Sequence, residues 1–333
     1  MSEGILLVGG LGTRLRPLTN DLPKPMLPIA TLPVTEHQIA MAKRAGVTRL
    51  VLATSYLSDV FKPYFGDGKK WGIEIDYAVE KEPLGTGGAI RNAAELLSGN
   101  NEIIIFNGDV LSSHNLKKQI AQHKESNAAV TLHLTPVEDA RAYGSVPTDD
   151  RGRVTAFLEK MDQPPTKNIN AGCYVFSPSV MAAIPLGQVV SVERETFPNL
   201  ISAGELVFGF IEQAYWLDIG TPAALMKGSR DLVTGLADGD ALNNYQFVHL
   251  GKDYVAAANS IVAGKISGGT SIGANSQIAA GAKIESSIIC DGVRIGSSEI
   301  NNSFIAPGAE IGDGVVISGS YVAKSGEISS IFD

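Results

Sequence analysis

Isoleucine recurs every six residues in the last part of the chain, and this spacing limits what that part can fold into. The isoleucines form two runs, Ile266, Ile272, Ile278 and Ile284, followed by Ile305, Ile311 and Ile317. Small residues and glycines fill the intervals, and the three-or-four spacing of a helix is almost absent. The pattern predicts a hexapeptide repeat of short strands stacked in a solenoid. A glycine-rich loop that happens to place isoleucines is the alternative.

The repeat resembles the left-handed parallel β-helix of hexapeptide-repeat proteins. The preceding residues, up to about 230, show a different sequence pattern, in which short β-branched runs alternate with helical stretches. We expect strands at residues 5–8, 49–53, 73–79, 103–106 and 130–134. This alternation predicts an α/β fold with a Rossmann-like mixed, mainly parallel sheet covered on both faces, whose ligands lie beyond the carboxyl ends of the strands.

The change of texture divides the chain. At 333 residues it is long for one core, and a polar stretch, GLADGDALNNYQ, follows Thr234. We therefore expect a catalytic α/β domain at residues 1–235, a connection at 236–252 and a β-helix domain at 253–333.

Charge and cysteine content exclude several classes of partner. Lys and Arg number 27 against 35 Asp and Glu, and the net charge of −8 argues against a nucleic-acid or anionic-membrane surface.

Cys173 and Cys290 lie far apart without zinc-ligand spacing, so buried thiols in a reducing cytoplasm are expected. The N-terminus lacks the pattern of a secretory signal, and no stretch is long and apolar enough to cross a membrane. A soluble cytoplasmic protein is expected.

A glycine-rich, basic stretch follows the first predicted strand. Residues 8–25, VGGLGTRLRPLTNDLPKP, match neither the dinucleotide GxGxxG pattern nor Walker A. The glycines allow close approach of the backbone to phosphate oxygens, while Arg14, Arg16 and Lys24 can neutralise a polyphosphate. An exposed basic loop is the alternative, but four prolines between residues 17 and 28 stiffen the segment and favour a fixed phosphate site.

The stretch GLGTRLRPLTxxxPKP resembles the signature of the sugar-1-phosphate nucleotidyltransferases, also called nucleotide-sugar pyrophosphorylases. The similarity continues through PLGTGGAI, NGD, EK, NAGCYVF and WLDIGTP to the β-helical tail. It implies that the backbone of residues 9–13 wraps a nucleoside triphosphate. Arg14 would meet the β- and γ-phosphates that leave as pyrophosphate, and Lys24 would lie near the α-phosphate. No covalent enzyme intermediate is needed.

Two aspartates are candidates for a metal site. Asp109 ends the Asn-Gly-Asp that follows a predicted strand, a position that ordinary turn chemistry explains equally well, and Asp218 lies in WLDIGTP. The resemblance implies that both bind Mg²⁺, which would bridge the α-phosphate and the sugar phosphate. Arg14, Lys24 and Asp109 are the implied catalytic residues.

Glu80, in AVEKEPLGTGG, bears on the base. Relatives that use thymine or uracil commonly carry glutamine there, whereas a carboxylate accepts from the two adjacent donors of guanine. The turn is also similar to that of the mannose-1-phosphate guanylyltransferases; a solvated charge beside Lys81 and Glu82 is the alternative. The implied nucleotide-binding set is Leu7, Gly9, Gly10, Gly12, Thr13, Arg14, Lys24, Glu80, Pro83, Gly85, Thr86, Gly88 and Asp109.

The resemblance also implies a site for the sugar phosphate. Its members are Gly144, Glu159, Lys160, Asn170 and Glu193. For Glu193, a charge at a helix N-terminus is an equally good explanation. Relatives usually have proline after the Glu-Lys pair, and Met161 here leaves the local backbone open.

The resemblance, together with Glu80, implies that GTP and mannose 1-phosphate are converted to GDP-mannose and pyrophosphate with Mg²⁺. A homo-oligomer, dimer or tetramer, formed through the β-helix or the sheet, is expected. Three alternatives stay open: a tail that acylates an amino sugar, a silent regulatory paralogue, and another nucleotide such as dTTP, UTP or CTP. The first lacks a histidine base, since all five histidines precede the repeats.

Overall fold

The computed structural model describes residues 2–10, 12–20, 22–54 and 58–332, with the side chain of Ser58 left out. Leu11 and Asp21, which belong to the glycine-rich signature, lie outside the described residues. The chain divides into two compact units, one of Met1–Gly10 with Gln38–Trp216 and the other of Leu11–His37 with Leu217–Asp333. The domain limits predicted at residues 235 and 253 stay a prediction.

The strands of the first two thirds of the chain are short and apolar. They are β1 (Ser2–Leu7), β2 (Pro28–Ile29), β3 (Leu32–Pro33), β4 (Val47–Thr54), β5 (Glu74–Val79), β6 (Ile103–Asn107), β7 (Val110–Ser112), β8 (Val130–Pro136), β9 (Asn168–Phe176), β10 (Val207–Ile211) and β11 (Trp216–Asp218). All five strands expected from the sequence are present, as β1, β4, β5, β6 and β8, although the expected limits Val8 and Ile73 lie one residue outside β1 and β5.

Helices alternate with these strands. They are α1 (Val34–Arg44), α2 (Ser58–Phe65), α3 (Gly85–Ala94), α4 (Leu116–Ser126), α5 (Pro178–Ala183), α6 (Phe197–Ser202) and α7 (Pro222–Thr234). Short 3₁₀ turns cover Thr13–Leu15, Lys24–Met26, Lys69–Trp71 and Leu242–Asn244, and Val192–Thr196 forms one π-helical turn. In the described part of the chain, no helix is long and apolar enough to pass through a bilayer.

The first unit is built on a seven-stranded sheet in the order β10-β8-β9-β6-β1-β4-β5. β1 pairs in parallel with β4 and β6, and β4 with β5, whereas β9 runs antiparallel to β6 and β8. Nearly continuous apolar runs such as IIIF in β6 are buried, as expected of strands covered on both faces. The prediction of a mixed, mainly parallel sheet is confirmed.

The parallel strands bring three predicted segments to one edge of the sheet. Leu7, the last residue of β1, is in register with Asn107 at the end of β6, and Thr54 of β4 with Val79 of β5. Val8, Glu80 and Gly108, which follow β1, β5 and β6, therefore lie at the carboxyl edge of the sheet, where ligands of α/β folds usually lie.

The second unit contains a solenoid of two- to four-residue strands. They are β12 (Phe247–Leu250), β13 (Tyr254–Ala257), β14 (Ile261–Val262), β15 (Lys265–Ser267), β16 (Thr270–Ile272), β17 (Gln277–Ile278), β18 (Lys283–Glu285), β19 (Ile288–Ile289), β20 (Arg294–Ile295), β21 (Glu299–Asn301), β22 (Phe304–Ile305), β23 (Glu310–Ile311), β24 (Val316–Ser318), β25 (Ser320–Val322) and β26 (Ile328–Ser330). Except for the antiparallel β12 and β26, successive coils pair in parallel in three sheets.

The predicted isoleucine period is confirmed as the core of this β-helix. Ile266 pairs with Ile284, and Ile272 with Ile289, so side chains of one coil stack on those of the next. Most of the predicted isoleucines are buried, and Ile266 is partly buried. β12 adds a strand before the repeats, and it carries His249.

One corner of the β-helix carries buried hydroxyls that the sequence pattern did not reveal. The Oγ1 of Thr270 accepts from the backbone N–H of Ser287, the Oγ of Ser287 from that of Ser303, and the Oγ of Ser303 from that of Ser320. We call these four residues the hydroxyl ladder. It satisfies backbone groups where the chain turns between sheets, which stabilises the stacking of coils.

Candidate active site

The glycine-rich signature is folded tightly against Lys24 in the second unit. Gly12 has φ +60°, and a Cβ there would lie 2.9 Å from Cβ of Lys24. Thr19 Oγ1 donates to the Gly12 carbonyl at 2.9 Å, and a 3₁₀ turn begins at Thr13. Glycine is therefore required at position 12 by conformation and by space.

Arg14, Lys24 and Asp218 form a charged cluster in the same unit. Lys24 is only 8% exposed, and its Nζ lies 3.9 Å from Oδ1 of Asp218. A Cβ on Gly220 would be 3.1 Å from Oδ1 of Asp218 and 3.2 Å from Nη2 of Arg14, so both charged groups border this glycine. The Arg14 side chain itself is exposed. The structure thus gathers three of the predicted residues, and the two cations among them are groups that can neutralise phosphate oxygens.

The donor chemistry of the two predicted metal ligands fits a hard divalent cation. Asp109 and Asp218 are half-buried carboxylates. Mg²⁺ is usually held by one or two carboxylates together with substrate phosphate oxygens and water, so two aspartates are an adequate protein contribution. Among the described residues, no three His, Cys, Asp or Glu side chains gather into a metal site.

The turn that carries Asp109 is pressed against the end of β1. Gly108 N donates to the Leu7 carbonyl at 2.9 Å, and a Cβ on Gly108 would lie 2.1 Å from that oxygen. Only glycine fits this approach. The Asn-Gly-Asp stretch therefore does more than form a turn, because it fixes Asp109 at the carboxyl edge of the sheet. Gly10, beyond β1, is exposed, and a Cβ there would meet no atom within 4 Å.

The glycine-rich start of α3 packs on a segment that sequence reasoning did not single out. Gly87 N donates to the Val190 carbonyl at 2.8 Å, and Val190 N donates to the Leu84 carbonyl at 2.9 Å. A Cβ on Gly85 would be 2.6 Å from the Val190 carbonyl oxygen, and one on Gly88 would be 2.4 Å from that of Gln188. These glycines are needed for packing inside the protein, whatever they contact in a nucleotide.

Glu80 follows β5 and shapes the turn before α3. Its backbone N–H donates to the Thr54 carbonyl, and its Oε2 accepts from Leu84 N at 3.2 Å. Burial raises the pKa of this carboxyl group, and the bond from Leu84 partly offsets that effect. Glu80 is thus a half-buried, hydrogen-bonded side chain, which argues against a merely solvated charge.

Thr86 and Glu193 are joined directly. Thr86 Oγ1 donates to Oε2 of Glu193 at 2.7 Å and accepts from Val192 N at 3.0 Å, while Ser191 Oγ donates to the same Glu193 oxygen at 2.8 Å. Glu193 lies in the first turn of the π-helical segment Val192–Thr196. Its carboxylate therefore holds the start of α3 to this segment. Whether Glu193 also contacts a sugar stays a prediction.

Three of the predicted sugar-site residues lie together. Gly144 is buried, and a Cβ there would be 3.0 Å from Oε2 of Glu159. Asn170 N donates to the Gly144 carbonyl at 2.9 Å. The Asn170 amide donates to the hydroxyl of Tyr174 at 2.9 Å, which orients it. Lys160 is exposed with φ +33°, a conformation that the usual proline at 161 would disfavour and Met161 permits.

Each unit therefore brings its own predicted residues together. Gly12, Arg14, Lys24 and Asp218 cluster in the second unit, whereas the turn of Asp109, the start of α3 and the sugar-site residues belong to the first. Val190 and Tyr174, which hold predicted residues in place, were missed by sequence reasoning. Their apolar neighbours gave no signal beyond that of ordinary core residues.

Comparison with known proteins agrees with this geometry. The family model described as nucleotidyl transferase matches residues 3–235, which include the signature, Asp109 and Asp218. The chain belongs to the nucleotidyl transferase family. The family and enzyme class predicted from the sequence are confirmed.

Curated relatives and solved structures extend the match. This nucleotidyl transferase is 46% identical over 294 residues to "Mannose-1-phosphate guanylyltransferase" of Mycobacterium tuberculosis, covering 88% of this chain and 81% of the relative. It is 38% identical to "Mannose-1-phosphate guanyltransferase beta-B" of Xenopus laevis, covering 68% and 63%. The crystal structure of HddC from Yersinia pseudotuberculosis complexed with GMP-PN is 31% identical with a TM-score of 0.60, covering 69% and 99%. Nucleotidyl transferases of this family generally use a divalent metal.

Proposed function

We propose that this nucleotidyl transferase is a mannose-1-phosphate guanylyltransferase, which makes GDP-mannose and pyrophosphate from GTP and α-D-mannose 1-phosphate. The observation that carries the proposal is the match to the Mycobacterium tuberculosis relative of that name. The alignment with this relative covers 294 residues, more than the stretch 3–235 that the family model matches. The similarity therefore also includes part of the β-helical tail.

The reaction exchanges one phosphate bond for another. A phosphate oxygen of the sugar attacks the α-phosphorus of GTP, the bond from that phosphorus to the bridging oxygen breaks, and pyrophosphate leaves with the negative charge. Fixed positive charge favours this step, because it is already in place where charge develops. Two contacts support these roles: nearly buried Lys24 lies 3.9 Å from Asp218, and Arg14 borders Gly220, which Asp218 also borders.

Mg²⁺ is the divalent ion that we propose, with Asp109 and Asp218 as its protein ligands. When bound, it would supply charge neutralisation between two anions that otherwise repel each other. Asp218 lies 3.9 Å from Lys24, and its carboxylate oxygens are the hard ligands that Mg²⁺ prefers.

Glu80 is the residue that we propose to read guanine. The base presents two adjacent N–H donors, and a carboxylate can only accept. The Leu84 N–H fixes one oxygen of Glu80, which reduces the entropy lost when the base binds. Gly144, Glu159 and Asn170, which lie together, are proposed to hold the sugar hydroxyls, and Lys160 the sugar phosphate.

The test is pyrophosphate release with Mg²⁺ across GTP, dTTP, UTP and CTP, each with mannose 1-phosphate and glucose 1-phosphate. We expect GTP with mannose 1-phosphate to give the highest kcat/KM, by roughly tenfold or more over any other pair. Preference for another nucleotide would reject the role of Glu80 and keep the enzyme class. Silence across all eight pairs would reject the proposal in favour of a regulatory protein without activity.

Asp109→Asn is the companion experiment. It removes a charge from the proposed Mg²⁺ site and keeps the size of the side chain, so turnover should fall roughly 100-fold while the melting temperature changes little. Asp150→Asn, an exposed carboxylate of the same unit, is the control. Unchanged turnover of Asp109→Asn at saturating Mg²⁺ would remove Asp109 from the metal site.

A homo-oligomer and a cytoplasmic location stay predictions. Light scattering on the purified chain would test the first.

A further inference from the structure

The β-turn that follows the Lys24 segment is strained. It joins β2 to β3, and its two central residues, Ala30 and Thr31, have φ of +47° and +76°. Residues with a Cβ rarely adopt these values, and they keep them only where the surroundings impose them. The Oγ1 of Thr31 is also buried, and it has no hydrogen-bond partner among the residues that the structure describes. Something outside the turn must therefore hold it.

Ser229 of α7 is that holding group. Its Oγ accepts from Ala30 N at 2.9 Å, although the two residues are 199 positions apart. Both are buried, with Ser229 1% exposed and Ala30 fully covered. Because no water reaches this pair, loss of the acceptor would leave the Ala30 N–H unsatisfied as well as release the turn.

The other side of Ser229 meets the β-helix. Its Oγ lies 3.3 Å from the Oγ of Ser271, a fully buried residue of β16 in the first coil. Gly269, just before that strand, has φ +76°, and a Cβ there would be 2.6 Å from Cγ of Arg230 in α7. Glycine thus lets the coil pack directly on the helix. One serine hydroxyl contacts both the strained turn and the β-helix.

The chain between the turn and Lys24 is short and stiff. Thr35 Oγ1 donates to the Pro25 carbonyl at 2.9 Å, and Val34 N donates to the Leu27 carbonyl at 3.2 Å. The Nε2 of His37 donates to the Ile29 carbonyl at 3.1 Å, because a carbonyl oxygen can only accept, and burial lowers the pKa of His37 to about 4. A displacement at Ala30 is therefore passed along this segment to Lys24.

We propose that Ser229 is a positioning residue for Lys24, and that the first coil of the β-helix acts through it as part of the phosphate-binding machinery. This rests on the proposed role of Lys24 at the α-phosphate. The β-helical tail then supports the residues of its own chain that act on the phosphates. Without it, the Lys24 segment would keep its sequence and lose its fixed position.

Ser229→Ala is the test, measured in two ways. Amide hydrogen exchange of residues 24–33 reports the position of the segment without any substrate, and it should become faster. Steady-state kinetics with GTP and mannose 1-phosphate should show kcat lowered roughly 10- to 100-fold with KM for GTP within about twofold, because misplacement of a group that acts in the transition state lowers turnover. Ser276→Ala is the control, a buried serine of the β-helix whose Oγ donates to the Cys290 carbonyl and contacts neither turn nor helix α7 in its hydrogen bonds.

The same substitution in a Lys24→Met protein distinguishes a positioning role of Ser229 from a general disturbance of the fold. If Ser229 acts through Lys24, then Ser229→Ala should lower kcat no further in a Lys24→Met protein. An equal further loss there, or unchanged exchange and kcat in Ser229→Ala alone, would overturn the proposal. Silence of the unaltered protein with every substrate, combined with faster exchange in Ser229→Ala, would reject the proposed function and keep the mechanical link.

If Ser229→Ala folds poorly, the double variant that adds Thr31→Gly to Ser229→Ala keeps the proposal testable. Glycine adopts positive φ without strain and removes the unpaired hydroxyl, so the turn needs less support from Ser229. Folding and at least part of the lost kcat should return. Failure of Thr31→Gly to restore either would count against the turn as the route from Ser229 to Lys24.

Discussion

Thr86 and Glu193 are linked by a 2.7 Å hydrogen bond, although 107 positions separate them in sequence. Through this bond and the Val190 carbonyl, the glycine-rich start of α3 is fixed to the segment before the π-helical turn. The turn proposed to read the base therefore depends on a residue predicted for the sugar side.

Thr86→Val should loosen that turn. The substitution keeps the shape of the side chain, deletes the hydroxyl and leaves Val192 N and Glu193 without this partner, at a cost of about 1–3 kcal/mol in stability. We expect KM for GTP to rise roughly fivefold or more. Thr86→Ser, which keeps the hydroxyl, is the control, and equal KM values for the two variants would show that the bond does not shape the nucleotide site.

Glu80→Gln should change nucleotide preference without disturbing the turn. A glutamine oxygen can still accept from Leu84 N, but the amide nitrogen would face the donors of guanine. We expect kcat/KM for GTP to fall roughly 10- to 100-fold, the value of one lost charge-assisted bond, and that for UTP or dTTP to rise. Unaltered preference would move base reading to other residues. Glu82→Gln, an exposed neighbour, is the control.

Gly108→Ala should destabilise the first unit and disturb Asp109 with it. The added Cβ would lie 2.1 Å from the Leu7 carbonyl oxygen, so β1 and the turn must move apart. The free energy of unfolding should fall by about 2–4 kcal/mol in urea titrations. Gly312→Ala provides the comparison, because its Cβ would meet nothing within 4 Å. Equal stability of the two variants would contradict the packing argument.

Stability should decline in mild acid because of stacked histidines. His114 and His133 lie with ring centroids 3.8 Å apart, both buried. Burial lowers the pKa of His114 to about 4, with Arg44 adding to the effect, and lowers that of His133 well below its usual value. The unfolded chain therefore takes up protons first. Above pH 6.5 both histidines are neutral in the folded and the unfolded chain, so their titration does not lower the free energy of unfolding. As the pH falls from 6.5 towards 4, that free energy decreases, by about 3 kcal/mol for His114.

His133→Leu should flatten this decline. Within the described part of the chain, neither ring nitrogen of His133 has a hydrogen-bond partner, so an apolar side chain of similar volume removes a titrating group without breaking a bond seen there. Urea unfolding at pH 7.5, 6.5, 5.5 and 4.5 measures the slope, with exposed His249→Leu as the control. A slope as steep as that of the unaltered protein would place the acid sensitivity elsewhere, for example at His37.

Periodicity predicted most of the fold, because both parts follow simple spacing rules. The six-residue isoleucines located the β-helix, and β-branched runs located five strands of the sheet. β9 was not predicted as a strand, since its NAGCYVF was considered only as a family motif. Its antiparallel direction depends on pairing with β6 and β8, which local sequence does not encode.

The candidate site was predicted as a set of residues and not as a set of bonds. Gly85, Thr86 and Gly88 were predicted for the nucleotide, and the structure adds that they pack on Gln188 to Glu193. Such contacts join segments about a hundred residues apart, and spacing within a motif carries no information about them. The same holds for Ser229, an ordinary small residue in a helix until its neighbours are known.

The bond between Ala30 and Ser229 also sets an order of events during synthesis. The Lys24 segment leaves the ribosome before its holding helix and the first β-helical coil, which follow about 200 and 240 residues later. At roughly 5–20 residues per second, that is a delay of about 10–50 s. The Lys24 segment must therefore wait, without the support of Ser229, while most of the sheet is being made. A ribosome that stalls before residue 229 releases a chain that already carries the whole signature but has no α7 serine to hold it.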